Sequence, residues 1–240
     1  VGETVSQYGE RCLLVTVPVF DALEPVFNNI KESLKEAGVE VLHFDGVVPN
    51  PTTDSINKGV EMAIENNVDV VLGVGGGSSM DTAKSIAVGA THEGEAWDYR
   101  LFTDKEVTNK TLPIVAVTTT SGTGSQVTPV AVLSNPEEKC KFAIVDELLC
   151  PRVSIVDPQL MVTVPEHITA STGFDVFAHA FESYLHDDSS VYTSLHALEA
   201  IKKVVNNLPQ AIKDGSSKEA RTEMAWADTL AGLSIANAGT

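Results

Sequence analysis

The residues best placed to do chemistry lie in two loops and on one helical face. The first loop is Gly73-Val74-Gly75-Gly76-Gly77-Ser78-Ser79-Met80-Asp81, between an apolar run and a helical pattern. Four glycines in five positions let a backbone approach a phosphate. The N–H groups of the following helical turn would point at that phosphate. Ser78 or Ser79 can also cap the helix, with Asp81 completing a capping box, so a tight turn without ligand is the plain alternative. The spacing departs from the common dinucleotide fingerprint. Ser78 stands where a third glycine is needed, and no acid is obvious about 20 residues downstream. The second loop is Thr118-Thr119-Thr120-Ser121-Gly122-Thr123-Gly124-Ser125, with six hydroxyls and two glycines directly after Ile114–Val117. Ligands of open parallel sheets bind at the carboxyl ends of strands. Two such loops suit one ligand that spans both, and a dinucleotide is long enough. An ordinary polar turn is the alternative for the second.

Asp175 and His179 are four residues apart in a helical pattern and so share a face. They can hold one divalent metal, but a catalytic site usually has at least three protein ligands. Taken alone, such a pair reads as a surface hydrogen bond. Glu182 and His186 continue the face and read as a solvated stripe. His43, His92, His167 and His196 carry no motif.

The elements that must position these residues follow from periodicity. Leu13–Val17, Val39–Phe44, Val70–Val74, Ile114–Val117 and Val153–Val156 are short apolar runs without alternation. Between the first of them lie helical patterns: Val26 to Ala37 ending at Gly38, Asp54 (a candidate N-cap) to Asn66, and Ser79 to about Ala90. Strands of this kind separated by helices predict a parallel sheet covered on both faces. The polar stretch Thr91–Leu112 reads as a lid or a surface excursion. From Pro165 only helical patterns remain, at about 166–186, 191–206 and 217–238. The expected division is therefore an α/β domain over residues 1–162 and a helical region over 163–240.

The 240 residues correspond to roughly one and a half domains at about 150 residues each. Their 43% hydrophobic and 20% charged content is ordinary for a globular protein. No apolar run approaches about 18 residues, and no basic-then-apolar leader opens the chain, so no membrane partner and a cytoplasmic location are expected. A formal charge of −17 argues against a nucleic-acid partner. Cys12, Cys140 and Cys150 are odd in number, without metal-type spacing, and read as reduced thiols.

Taken together, the motifs resemble the iron-containing, or group III, alcohol dehydrogenases. The matching segments are Phe44–Pro51, Gly75-Gly76-Gly77-Ser78 with Asp81-Thr82-Ala83-Lys84, Thr119–Ser125, Lys141-Phe142, Asp157-Pro158, and Thr172-Gly173-Phe174-Asp175 with His179-Ala180. The resemblance implies a Rossmann-like NAD(P)-binding domain, then an all-helical domain that binds a divalent metal, Fe2+ or Zn2+. The cofactor and a small alcohol or aldehyde would meet in the cleft between them. By position, Gly76, Gly77, Ser78 and Asp81 would hold the diphosphate and nearby groups. Thr119, Thr120, Thr123 and Lys141 would line the rest of the cofactor, and Asp175 and His179 would be the first two metal ligands. The metal would stabilise an alkoxide, from which hydride passes to the nicotinamide.

The pattern also departs from the family. The family's two further metal-binding histidines would follow Thr240, and an opening strand segment that often helps pair subunits would precede Val1. On this reading the chain is truncated at both ends, with weak metal binding and low turnover expected of it alone; a homodimer stays open. Pro18 stands where NAD-specific members often carry an Asp, so NADP is as plausible as NAD. Gln126 stands where a Glu is common. Two alternatives are a non-catalytic NAD(P)-binding fragment and a dehydroquinate-synthase-like lyase. The lyase would need several Lys and Arg in its cleft, and this chain has few.

Overall fold

The computed structural model describes residues 1–239. It divides into two compact units: residues 1–117 with 129–155, and residues 118–128 with 156–240. The hydroxyl-rich loop thus packs within the helical unit, although in sequence it lies among strands.

The first unit is built on a five-stranded sheet of β1 (Arg11–Val15), β2 (Glu40–Phe44), β3 (Val70–Gly75), β4 (Ile114–Thr118) and β7 (Val153–Val156), in the order β2-β1-β3-β4-β7. β1 runs parallel to β2 on one side and to β3 on the other. Every residue of β3 is buried, as expected for a strand covered on both faces. The helices are α1 (Gly2–Val5), α2 (Glu24–Glu36), α3 (Thr53–Glu65) and α4 (Gly77–Gly89). α2 follows a clean apolar stripe and buries Phe27, Ile30 and Leu34. α4 is buried nearly all round from Ser79 to Gly89. Its Ile86 and Ala87 enter the main core with Leu13, Val71, Ile56 and Leu133.

Two local readings change. The N-cap of α3 is Thr52, whose side chain accepts from Ser55 N, and Asp54 lies inside the first turn. Two strands lie outside the expected apolar runs: β5 (Val130–Asn135) and β6 (Cys140–Val145) pair antiparallel as a separate hairpin. β5 alternates between buried and half-buried positions, and its turn carries Glu137 and Glu138, so no continuous apolar run marks it.

The 91–112 excursion is pinned rather than loose. A 3-10 turn, Ala96–Tyr99, is closed by a capping box between Glu95 and Asp98. Trp97 and Tyr99 are buried, and Trp97 Nε1 donates to Glu138. His92 Nε2 accepts from Thr108 N at 2.9 Å, while its Nδ1 lies 2.9 Å from Val88 O.

The second unit carries three long helices, α5 (Glu166–Leu185), α6 (Val191–Lys213) and α7 (Lys218–Ala238). Small residues let them pack closely around Val176, Ala180, Ala200, Val204, Ala227 and Ala231. α6 continues through Pro209, past the expected end at Asn206. The carbonyl that Pro209 leaves without a helical donor is that of Val205, a residue on the exposed side of the helix. The buried Arg221 donates to Gly215 O, Thr169 Oγ1 and Val164 O, which ties α7 to the start of α5.

Candidate functional site

In the first unit the strand order reverses between β1 and β3. The chain passes from β1 to β2 on one side, then crosses back to β3 on the other. Such a switch point opens a crevice at the carboxyl ends of the strands. β3 ends there at Gly75, and Gly76 is the N-cap of α4. Gly75 has φ +146°, and a Cβ on it would lie 2.3 Å from Ser79 Oγ, so this position requires glycine. Gly73 sits within β3, where a Cβ would come 3.0 Å from that of Ala83. That glycine serves close strand–helix packing.

No side chain caps α4, which corrects the expectation that Ser78 or Ser79 with Asp81 would do so. Asp81 instead reaches the hairpin, where its Oδ2 accepts from Val132 N at 3.2 Å. Ser79 Oγ is buried and has no hydrogen-bond partner. A thirteen-residue helix with a glycine N-cap and an orphaned hydroxyl in its first turn is a cradle for an anion. It fits the diphosphate of a dinucleotide. Gly76, Gly77 and Ser78 are together on this turn, and Asp81 follows in the next one.

Below them Lys84 is fully buried and donates to Val130 O at 2.8 Å. Burial lowers its ammonium to about 8, with Asp81 and Cys150 opposing the fall. Lys141 is exposed on β6, and its Nζ donates to Asn50 Oδ1 at 3.1 Å. It is cross-strand to Ser134, two residues along β5 from the Val132 that meets Asp81.

In the second unit the hydroxyl loop is held from beneath by Asp228, a residue that motif reasoning passed over. This carboxylate is fully buried. Its Oδ1 accepts from Gly122 N at 2.8 Å and Gly124 N at 2.9 Å, and its Oδ2 accepts from Gln126 Nε2 at 2.8 Å. Burial raises its carboxyl to about 6 against the opposing hydrogen bonds of Gln126 and the two amides. The departure at Gln126 thereby acquires a physical reason. A glutamate there would set a second carboxylate against Asp228, whereas the amide donates to it. The loop glycines serve packing. A Cβ on Gly122 would lie 2.8 Å from that of Thr172, and one on Gly124 would lie 2.6 Å from Gly232 Cα. Of the three threonines singled out, Thr119 is buried, Thr120 half-buried and Thr123 exposed.

Asp175 and His179 face each other on α5, with Asp175 Oδ1 3.8 Å from His179 Nε2. This is too far for a hydrogen bond. It is within the span that two bonds of about 2.1 Å to a common ion can bridge. His179 Nδ1 lies 3.3 Å from Gly122 O. A carbonyl can only accept, so Nδ1 carries the proton and a neutral ring keeps its lone pair on Nε2. Burial raises the Asp175 carboxyl, His179 opposes the rise, and Glu182 adds to it. The two side chains fit a divalent ion as donors, yet no group of three His, Cys, Asp or Glu side chains able to hold a metal occurs among the described residues. His186 Nδ1 accepts from Asp188 N, and His196 Nδ1 bonds Tyr192 O, so both are engaged locally.

Comparison with known proteins shows the family. The family model for iron-containing alcohol dehydrogenase matches residues 1–158. The model for the C-terminal region of the Fe-containing alcohol dehydrogenase family matches residues 169–240. The chain is 41% identical over 243 residues to 1,3-propanediol dehydrogenase of Citrobacter freundii, covering 98% of this chain and 62% of that protein. It is 36% identical over 239 residues to NAD-dependent methanol dehydrogenase of Bacillus methanolicus, covering 100% and 62%. Among solved structures, an archaeal halo-thermophilic alcohol dehydrogenase from a Red Sea brine pool superposes with a TM-score of 0.96 at 40% identity, over 100% of this chain and 61% of that one. The chain thus spans about three fifths of the length of the relatives it matches. No helix among the described residues is long and apolar enough to cross a membrane.

Proposed function

The chain belongs to the iron-containing alcohol dehydrogenase family, and from that premise we propose that it forms the NAD(P)-binding part and the first metal-binding helices of an alcohol dehydrogenase. In this reading residues 1–162 bind the cofactor and residues 163–240 begin the metal and substrate domain. The substrate class is a small alcohol or its aldehyde. The observation that carries the reading is the glycine cradle at the sheet's switch point, with its orphaned buried Ser79 hydroxyl.

When bound, NAD(P) supplies hydride chemistry and a divalent Fe2+ or Zn2+ supplies Lewis acidity toward an alcohol oxygen. The chain's own residues do the rest. The first turn of α4 presents Gly76, Gly77 and Ser78 to the diphosphate, and Asp81 holds that turn to the hairpin. Thr119, Thr120, Thr123 and Lys141 are assigned to the remaining cofactor contacts by their positions in the family pattern. Asp175 and His179 offer an oxygen and a nitrogen donor 3.8 Å apart. Two donors are fewer than a catalytic ion needs. Pro18 sets no carboxylate against a 2′-phosphate, so both NAD and NADP are candidates. The family matches favour an oxidoreductase over the lyase alternative.

The test is calorimetric titration with NAD+ and NADP+, followed by assay of NADH or NADPH oxidation against small aldehydes with Fe2+ or Zn2+ added. Binding with aldehyde-dependent oxidation supports the reading. Binding without oxidation leaves the non-catalytic alternative, and absence of binding overturns both.

A further inference from the structure

The hydrogen bonds beneath the hydroxyl loop form a short chain that ends on His179. Asp228 is held in α7, 100 or more residues from the loop in sequence. It accepts the Gly122 N–H at 2.8 Å, which fixes the Ser121–Gly122 peptide unit. The Gly124 N–H, in the Thr123–Gly124 unit, and the Gln126 side chain also end on the carboxylate, so the unit between, which carries the Gly122 carbonyl, is held on both sides. The Gly122 carbonyl in turn faces His179 Nδ1 at 3.3 Å. The loop has little freedom to shift, because Gly122 abuts Thr172 and Gly124 abuts Gly232 with no room for a side chain.

We propose that Asp228 is a positioning residue for His179. By anchoring the peptide units on both sides of the Gly122 carbonyl it sets an acceptor that holds the Nδ1–H tautomer, and this aims the Nε2 lone pair toward Asp175. Outer hydrogen bonds of this kind fix the tautomer and ring orientation of ligating histidines. Here the role passes through a backbone carbonyl, with the carboxylate one peptide further out. Gln126 belongs to the same device, since its amide binds the carboxylate oxygen that the glycine amides leave open. The inference rests on reading Asp175 and His179 as metal donors, but its first readout does not require a metal.

The experiment is nitrogen-15 NMR of the histidine rings in the metal-free chain, with the His179 signals identified by their loss in His179→Gln. The wild type should show a protonated Nδ1 and a bare Nε2. Asp228→Asn retains an oxygen for the two glycine amides and should leave that tautomer in place. Asp228→Leu should give a mixture of tautomers and faster exchange of the Gly122 and Gly124 amides. Asp228→Ser, too short to reach both amides, serves if the leucine variant does not fold. A protonated Nε2 in the wild type, or a wild-type tautomer in a folded leucine or serine variant, overturns the proposal. Cobalt(II) titration supplies the second readout, with affinity expected to fall about tenfold in Asp228→Leu and to be lost in His179→Gln. Cobalt binding that ignores His179→Gln, with the tautomer result intact, removes the metal reading and leaves the Gly122 link standing. A tautomer that ignores Asp228→Leu removes the link whatever cobalt does.

Discussion

At Gly75–Ser79 a buried hydroxyl is left without a partner, whereas at Gly122–Gln126 two backbone amides and a side-chain amide already end on one buried carboxylate. In sequence the two loops look alike: glycines and hydroxyls at the end of an apolar run. In the first, glycine is required where the backbone turns into a helix. In the second, glycine is required where the loop abuts α5 and α7. Glycine therefore marks close approach without saying what approaches. The partner of the neighbouring polar groups decides between a ligand cradle and an internal joint.

The largest effect that tests this contrast is expected at the joint. Asp228→Leu removes the acceptor that three buried donors share and should cost about 3 kcal/mol or more, read as a lower urea midpoint for the helical unit. A loss under about 1 kcal/mol would show that the loop is held by something other than the carboxylate.

The pH dependence is expected to have opposite slopes in the two regions. The Asp228 carboxyl stands at about 6 against an ordinary 3.8, so the native state binds the extra proton between those values. Its contribution to stability is full below pH 4 and is lost, by about 3 kcal/mol in all, as the pH rises through 6. Lys84 stands at about 8 against an ordinary 10.5, so there the native state binds fewer protons. Its contribution rises by about 3 kcal/mol between pH 8 and 10.5. Denaturation midpoints across pH, compared with Asp228→Leu and Lys84→Met, should show each slope vanish in its own variant.

Much of the fold was legible because its signals are local. β3 is a continuous apolar run and α2 a clean amphipathic stripe, and both fall within a residue or two of the expected bounds. The hairpin was not, since its half-buried, alternating residues form no such run. Asp228 was hidden for a different reason. Within Trp226-Ala227-Asp228-Thr229 it reads as an ordinary polar helix position, and only the tertiary fold brings it to Gly122. The one sequence signal was Gln126, an amide where a carboxylate is common. The Asp175–His179 pair was legible through its i, i+4 spacing, and its proposed metal role only through the family resemblance, whereas the carbonyl that faces His179 Nδ1 lies 57 residues away.

Two helix starts give the smaller tests. α3 is capped by Thr52, so Thr52→Ala should cost about 1 kcal/mol, seen in the midpoint for the α/β unit. Ser79→Ala removes a hydroxyl with nothing to lose and should be neutral or stabilising by up to about 1 kcal/mol, while cofactor affinity falls. A clear destabilisation by Ser79→Ala would mean that the first loop, like the second, is internally satisfied.

Gly76→Asp tests most directly whether the first turn of α4 receives the cofactor's diphosphate. Gly76 has φ −88° and ψ −166°, extended backbone that an aspartate adopts readily, and Asp is a favoured N-cap. The substitution should therefore keep or raise thermal stability while placing a negative charge against the phosphate. Calorimetric titration with NAD+ or NADP+ is expected to show binding to the wild type and at least a tenfold weaker affinity in a folded Gly76→Asp variant. Equal affinity in the two proteins would contradict the assignment.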